Sequence, residues 1–136
     1  TMVRLLPGEP EIIDDAPVGR IYRDGDILIP GDEDCIRERR KLSFVGSVVV
    51  SIVMTRGGEL AADPQVATAG VPQLNADGES FAEIAEKAAV GAIESIPRPR
   101  RKSAELVGEA VRKSVRAALN NAWGKKPICK VLVSVV

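Results

Sequence analysis

The stretch SVVVSIVMT, residues 47–55, constrains this chain more than any other. Val48, Val50, Ile52 and Met54 fall on one side of an extended backbone, and Val49, Ser51, Val53 and Thr55 on the other. Period-two placement of β-branched residues is a strand signal. One face of that strand is wholly aliphatic, so something must cover it. Aromatic residues make up only 3% of the sequence, so the cover has to come from Val, Ile, Leu and Ala. A chain of 136 residues, 45% of them hydrophobic, is about one domain long and can bury such a core.

Two amphipathic segments downstream are suited to the task. Ser80-Phe81-Ala82-Glu83 fits a capping box, in which Ser and Glu satisfy free amides at a helix start. Phe81, Ile84, Ala85, Ala88, Ala92, Ile93 and Ile96 then recur at helical spacing until Pro97 ends the run. A second helix is predicted from about Ala104 to Trp123, with Ser103 as N-cap and Glu105 complementing the dipole of its first turn. Val107, Ala110, Val111, Val115, Ala118, Leu119 and Ala122 form its apolar stripe, Gly124 offers a left-handed C-cap, and Pro127 prevents continuation.

A weaker strand is read in PQVATAGV, residues 64–71, and a final one in ICKVLVSVV. In the last strand Cys129, Val131, Val133 and Val135 share one face, and Ile128, Lys130, Leu132, Ser134 and Val136 share the other. Period two does not say which row meets the helices. The body therefore reads β-β-α-α-β. It is an α+β fold, an α/β sandwich in which a small three-stranded sheet carries two helices on one face. The opposite face keeps Val49 and Val53 together with one of the two rows of the last strand. Val49, Val53 and Leu132 are the candidate dimer face, since an apolar sheet face left uncovered marks a partner surface.

Before this body the chain has another character. MVRLL, EII, GRIYR and ILI are short extended runs separated by PGEP, DDAP, DGD and Pro30-Gly31, which predicts short β-hairpins. The acidic run Asp32-Glu33-Asp34 reads as linker. The formal net charge is zero, yet residues 1–35 carry three basic residues against nine acids, and residues 36–136 carry sixteen against ten. The opening TMVRLL already looks like strand, so the chain is expected to be a fragment of something longer.

Little catalytic chemistry is available. There is no histidine, and Cys35 and Cys129 form no C-x-x-C pair, which argues against a zinc cluster or a Cys–His nucleophile. Ser43, Ser51, Ser95 and Ser134 have no histidine to activate them. TRGGE lacks the G-K-[ST] ending of a phosphate loop. No catalytic, cofactor-binding or metal-ligating residue is therefore assigned. Two lone cysteines and the lack of a transmembrane-length apolar run lead us to expect a soluble cytoplasmic chain with no membrane partner. The basic clusters are the remaining candidates. Arg37, Arg39, Arg40 and Lys41 form one, and Arg98, Arg100, Arg101 and Lys102 form the other, in a proline-stiffened loop expected to hold its guanidinium groups outward. Such groups suit phosphate contact, so all eight are candidate RNA-backbone contacts; a solubilising loop is the alternative.

The order of these features resembles the C-terminal region of the ribonuclease J family, in the version found in alphaproteobacteria. PVGRIYRDGD, IRERRKLSFVGSVVVSIVMT, the paired helices and WGKKPICKVLVSVV carry the likeness, across essentially the whole chain. Arg39-Arg40-Lys41-Leu42-Ser43-Phe44-Val45-Gly46 resembles the opening of that family's last domain. The resemblance implies that residues 1–30 are terminal strands of a metallo-β-lactamase core that carries a β-CASP insertion. It makes residues 31–43 a linker and 44–136 a C-terminal assembly domain. The family cleaves RNA with a divalent metal, zinc or manganese, held by an H-x-H-x-D-H motif that cannot be carried over to a chain without histidine. What the resemblance implies for this part is dimerisation and support of RNA engagement, with RNA and a second copy as partners. A stand-alone oligomeric regulatory module that binds a ligand is the competing reading.

Overall fold

A computed structural model describes residues 11–16 and 19–136 of the chain. The strand expected in MVRLL lies outside the described residues. The chain divides into two compact units between Phe44 and Val45.

In the first unit, β1 (Glu11–Ala16), β2 (Gly19–Asp24) and β3 (Ile27–Pro30) form an antiparallel meander in that order. Gly25 and Asp26 turn the chain between the paired Asp24 and Ile27. A helix follows, α1 (Asp34–Val45), over much of the stretch that the sequence reading makes a linker. The reason is compositional. No Gly or Pro interrupts residues 32–45, and Arg, Glu, Lys and Leu between Ile36 and Leu42 are good helix formers. Asp34 also adds an acid to the first turn. Ile36 is the one buried residue on α1, so the helix has no apolar stripe for a periodicity argument to find. Tyr22 of β2 is buried as well, and the Arg40 Nη2 lies 3.4 Å from its hydroxyl, which ties α1 to β2.

The second unit holds β4 (Ser47–Met54), β5 (Gln65–Ala69), α2 (Phe81–Ser95), a 3-10 turn over Arg98–Lys102, α3 (Ala104–Trp123) and β6 (Ile128–Val135). The expected α+β order is present, with α1 in front of it. The sheet runs β5-β4-β6. β5 is antiparallel to β4, with Val49 opposite Ala67, and β6 is parallel to β4 in unbroken register from Ser47–Ile128 to Met54–Val135. The central place of β4 explains its composition. Val48, Val50, Ile52 and Met54 are buried against Phe81, Ala85, Ala89 and Ile93 of α2 and Val107, Val111, Val115 and Leu119 of α3. Both helical sets recur every four residues, the spacing that keeps side chains on one face.

The helix boundaries follow the capping chemistry. Ser80 Oγ accepts from the Glu83 amide at 3.3 Å, and Ser103 Oγ accepts from the Leu106 amide at 3.3 Å. Gly124 closes α3 in the left-handed region at φ 84. Beyond it the WGKKP turn packs on the core. The ring of Trp123 meets Phe81 edge-on with centroids 5.9 Å apart, the Lys125 ammonium lies 5.2 Å from the Trp123 ring, and Pro127 is fully buried.

Gly46 brings the three strands together at one end of the sheet. Its φ is +65, and a Cβ there would stand 2.5 Å from the Gly70 carbonyl oxygen and 2.6 Å from that of Ala69. These are backbone atoms fixed by the β4–β5 pairing, so they cannot step aside. The Gly46 carbonyl meanwhile accepts from the Ile128 amide at 3.1 Å, which sets the start of β6. We expect Gly46→Ala to lower stability by about 1–3 kcal/mol, since it combines a disfavoured dihedral with a backbone clash. Gly91→Ala, in α2 with no atom within 4 Å of the added Cβ, should instead raise it by about 0.5–1 kcal/mol. Thermal unfolding followed by the single tryptophan would check both, and equal shifts would contradict the account.

Candidate nucleic-acid interface and assembly surfaces

The first basic cluster lies on α1. Arg37 is ion-paired to Asp34 one turn earlier. Arg39 reaches across to Asp24 at the end of β2 and donates two parallel hydrogen bonds to its carboxylate, at 2.9 and 2.6 Å. This bidentate pair is half-buried, and its hydrogen bonds hold the Asp24 carboxyl below the usual range while raising Arg39. Arg40 borders the Tyr22 hydroxyl, and Lys41 is exposed. Arg39 thus fastens α1 to the meander, and its fork already holds a carboxylate.

The second cluster forms the 3-10 turn between α2 and α3, where Arg98, Arg100 and Lys102 are exposed and Arg101 alone turns partly inward from the outward-held loop expected. Arg98 is ion-paired to Glu59 in the turn after β4. Arg101 donates Nε to the Ile96 carbonyl at 2.8 Å and Nη2 to the Glu94 carbonyl at 3.2 Å, with Nη1 at 3.5 Å from the Gly58 carbonyl. The last carbonyls of a helix have no partner within it, and a cation there also meets the negative end of its dipole. Arg101 therefore seals the end of α2 and clips it to the β4–β5 connection. Arg100 and Lys102 remain exposed.

The candidate dimer face is also located. The Cys129 row turns toward the helices, with Cys129 buried, and burial pushes its thiol up against the opposing influence of Arg112 and Arg116. The Ile128 row therefore joins Val49 and Val53 on the open side, where Leu132 is 61% exposed. The register brings polar residues into this face too. Ser51 lies beside Gln65 and Leu132, Val49 beside Lys130, and Val53 beside Ser134.

A charged stripe along the flank of α3 is not among the features the sequence singles out. Glu105, Glu109, Arg112 and Arg116 follow one another at helical spacing beside β6. Glu109 accepts from Arg112 at 3.0 and 2.8 Å and has Lys113 at 3.9 Å, which holds its carboxyl low. A shallow groove runs between this flank and Val131 and Val133. The spacing is visible in the sequence, but that β6 lies beside it is not.

Among the described residues no three His, Cys, Asp or Glu side chains gather where they could hold a metal ion. No described helix is long and apolar enough to cross a membrane.

A mixed three-stranded sheet backed by two helices defines a small two-layer α+β module. Residues 34–136 match the family profile described as the ribonuclease J C-terminal domain, and the chain belongs to that family. It is similar to the curated ribonuclease J of Sinorhizobium meliloti (strain Sm2011 / Rm2011 / 2011), with 45% identity over 135 residues. That alignment covers 99% of this chain and 24% of the relative, so the chain spans about a quarter of that protein's length.

Two outcomes test the arginine assignments. Arg101→Ala should destabilise the second unit by about 1–2 kcal/mol through the helix-end carbonyls it leaves unpaired, whereas Arg100→Ala should stay within about 0.5 kcal/mol of the parent. Equal thermal midpoints would refute the clamp. For the Asp24–Arg39 pair, the lowered folded value means that its stabilisation is present above the ordinary carboxyl value of 3.8. That stabilisation is lost as pH falls below 3.8 through the lowered value. Acid titration followed by the single tyrosine, Tyr22, should therefore show a loss below this point that Asp24→Asn removes, while the Trp123 signal is unmoved. Identical tyrosine profiles would remove the pair from the stability of the first unit.

Proposed function

We propose that this chain is the C-terminal part of a ribonuclease J-like, metal-dependent ribonuclease that acts 5′→3′ and internally on RNA in cytoplasmic processing and decay. Its own contribution is dimerisation and support of RNA engagement, not bond cleavage. The observation that carries this reading is the family match over residues 34–136, together with the alignment of nearly the whole chain to a ribonuclease J. In this reading residues 1–30 are terminal strands of a metallo-β-lactamase core, 31–43 connect, and 44–136 form the assembly domain.

Zinc or manganese, as the catalytic metal of the parent, would supply an activated water. The donor set of this chain does not fit such an ion, because it has no histidine and no three Cys, Asp or Glu side chains gather among the described residues. No step is therefore assigned to these residues, and the metal belongs to parts of the parent beyond this chain. Arg39 and Arg101 are partly buried in a bidentate pair and a helix-end clamp, so phosphate contact falls to the exposed cations Arg98, Arg100, Lys102 and Lys41. Arg37 and Arg40 are exposed at secondary positions on α1. Counterion release makes such contact sensitive to salt rather than to sequence.

The parent enzyme with residues 45–136 deleted would test this. The deletion should lower the sedimenting mass from dimer to monomer. It should also flatten the log–log salt dependence of single-stranded RNA affinity by about 0.7 for each phosphate no longer neutralised. Unchanged mass would reject the assembly role, and an unchanged salt slope would reject an RNA role for the 98–102 turn, since Lys41 remains in the truncated enzyme.

A further inference from the structure

β6 ends the sheet, and its outer side is unusually well prepared for another strand. The Ile128 amide donates to the Gly46 carbonyl and the Val136 amide to the Met54 carbonyl, so the even-numbered residues of β6 turn their backbone groups toward β4. By the period of two, Cys129, Val131, Val133 and Val135 turn theirs away, and no described strand pairs with them. Proteins blunt such edges with proline, bulges, short strands or inward-pointing charges. β6 runs eight residues without proline, and its register with β4 is unbroken. Lys130 is its one charge.

The α3 stripe indicates what covers that edge. Going up the helix it reads Glu105, Glu109, Arg112, Arg116, acids first and bases second. Two such stripes laid antiparallel set Glu105 against Arg116 of the second copy and Glu109 against its Arg112, a self-complementary pattern whose centre lies between Ala110 and Val111. An independent estimate of the same centre comes from the strand. α3 is antiparallel to β6, and a Cβ on Gly108 would stand 3.6 Å from Val133 Cγ2, so those two residues are level. One strand residue back, at Leu132, corresponds to about two residues further along the helix, from rises of about 3.3 and 1.5 Å per residue. That is again Ala110. The centre required by the charges and the middle of β6 agree to about one residue.

We propose that two copies of this chain join β6 to β6 in antiparallel register about a two-fold axis at Leu132. The two three-stranded sheets become one continuous sheet, with the acidic half of each α3 stripe opposite the basic half of the other. The proposal rests on the self-association reading above and names its surface. Leu132 meets Leu132 of the second copy as a close pair without backbone bonds, and Val131 exchanges both backbone hydrogen bonds with Val133 of the second copy. Lys130 falls opposite Ser134 rather than against a second lysine. The groove beside Val131 and Val133 closes over apolar side chains. The axis makes the contact isologous, so assembly stops at two copies.

The test is charge reversal in the whole 136-residue chain, with mass read by sedimentation. The parent chain should be a dimer. The double variant Glu105→Arg, Glu109→Arg and the double variant Arg112→Glu, Arg116→Glu should each weaken the dimer by more than about tenfold, because like charges then face each other. Their equimolar mixture should recover a dimer containing one of each. Since both variants alter charge pairs within α3, hydrogen exchange on the unmodified chain supplies a second measurement. The amides of Val131 and Val133 should be protected at dimer-forming concentration and lose that protection on dilution. A parent chain that is dimeric while both variants stay dimeric overturns this surface and leaves self-association to the open face of Val49 and Val53. Two monomeric variants that fail to recover on mixing overturn the two-fold register. A parent chain that is monomeric throughout overturns the self-association reading itself.

Discussion

The second unit depends on the burial of one strand from one side. Val48, Val50, Ile52 and Met54 of β4 meet a two-helix layer whose contact positions repeat every four residues, and nearly all of the unit's fully buried volume lies in that contact. With so few aromatics, the fit relies on close approach of aliphatic surfaces. Ala85 and Ala89 of α2 and Val111 and Val115 of α3 are all fully buried in this core. The Ser114 hydroxyl, bonded to the Ala88 carbonyl at 3.1 Å, fixes the helix pair further. Once β4 is covered in this way, its other face and both sheet edges become the places where the unit can meet anything else.

The elements with strong periodicity or cap signals were legible in the sequence. β4, both core helices, their Ser80 and Ser103 caps and the Gly124 terminus stand where the residues indicated. α1 was not legible, because a helix with a single buried side chain has no period to read and the acidic run before it resembles a linker. The choice of buried row in β6 was not legible either. Alternation defines two rows, and only the packing of α3 selects that of Cys129.

The basic clusters show what composition leaves unsaid about a surface. Read along the chain, eight cations in two groups look like one kind of surface. In three dimensions Arg39 holds Asp24, Arg98 holds Glu59, and Arg101 caps the carbonyl end of α2. Each partner lies far away in sequence or in the backbone itself, where no motif could announce it. Arg39 and Arg101 are the partly buried members, and the other six stay exposed to solvent.

The parallel pairing of β4 with β6 has a further consequence for how the unit is made. All of α2 and α3 lies between the two strands, so the contact closes a long loop, and loop closure of that kind slows folding. During synthesis β4 leaves the ribosome early, yet its neighbour on one side is the last element of the unit to appear. Until then β4 can pair only with short β5, and its aliphatic side waits on the helices. The aliphatic strand that anchors the finished unit is thus its most aggregation-prone segment while the chain is being built, and the order of translation leaves it exposed for longest.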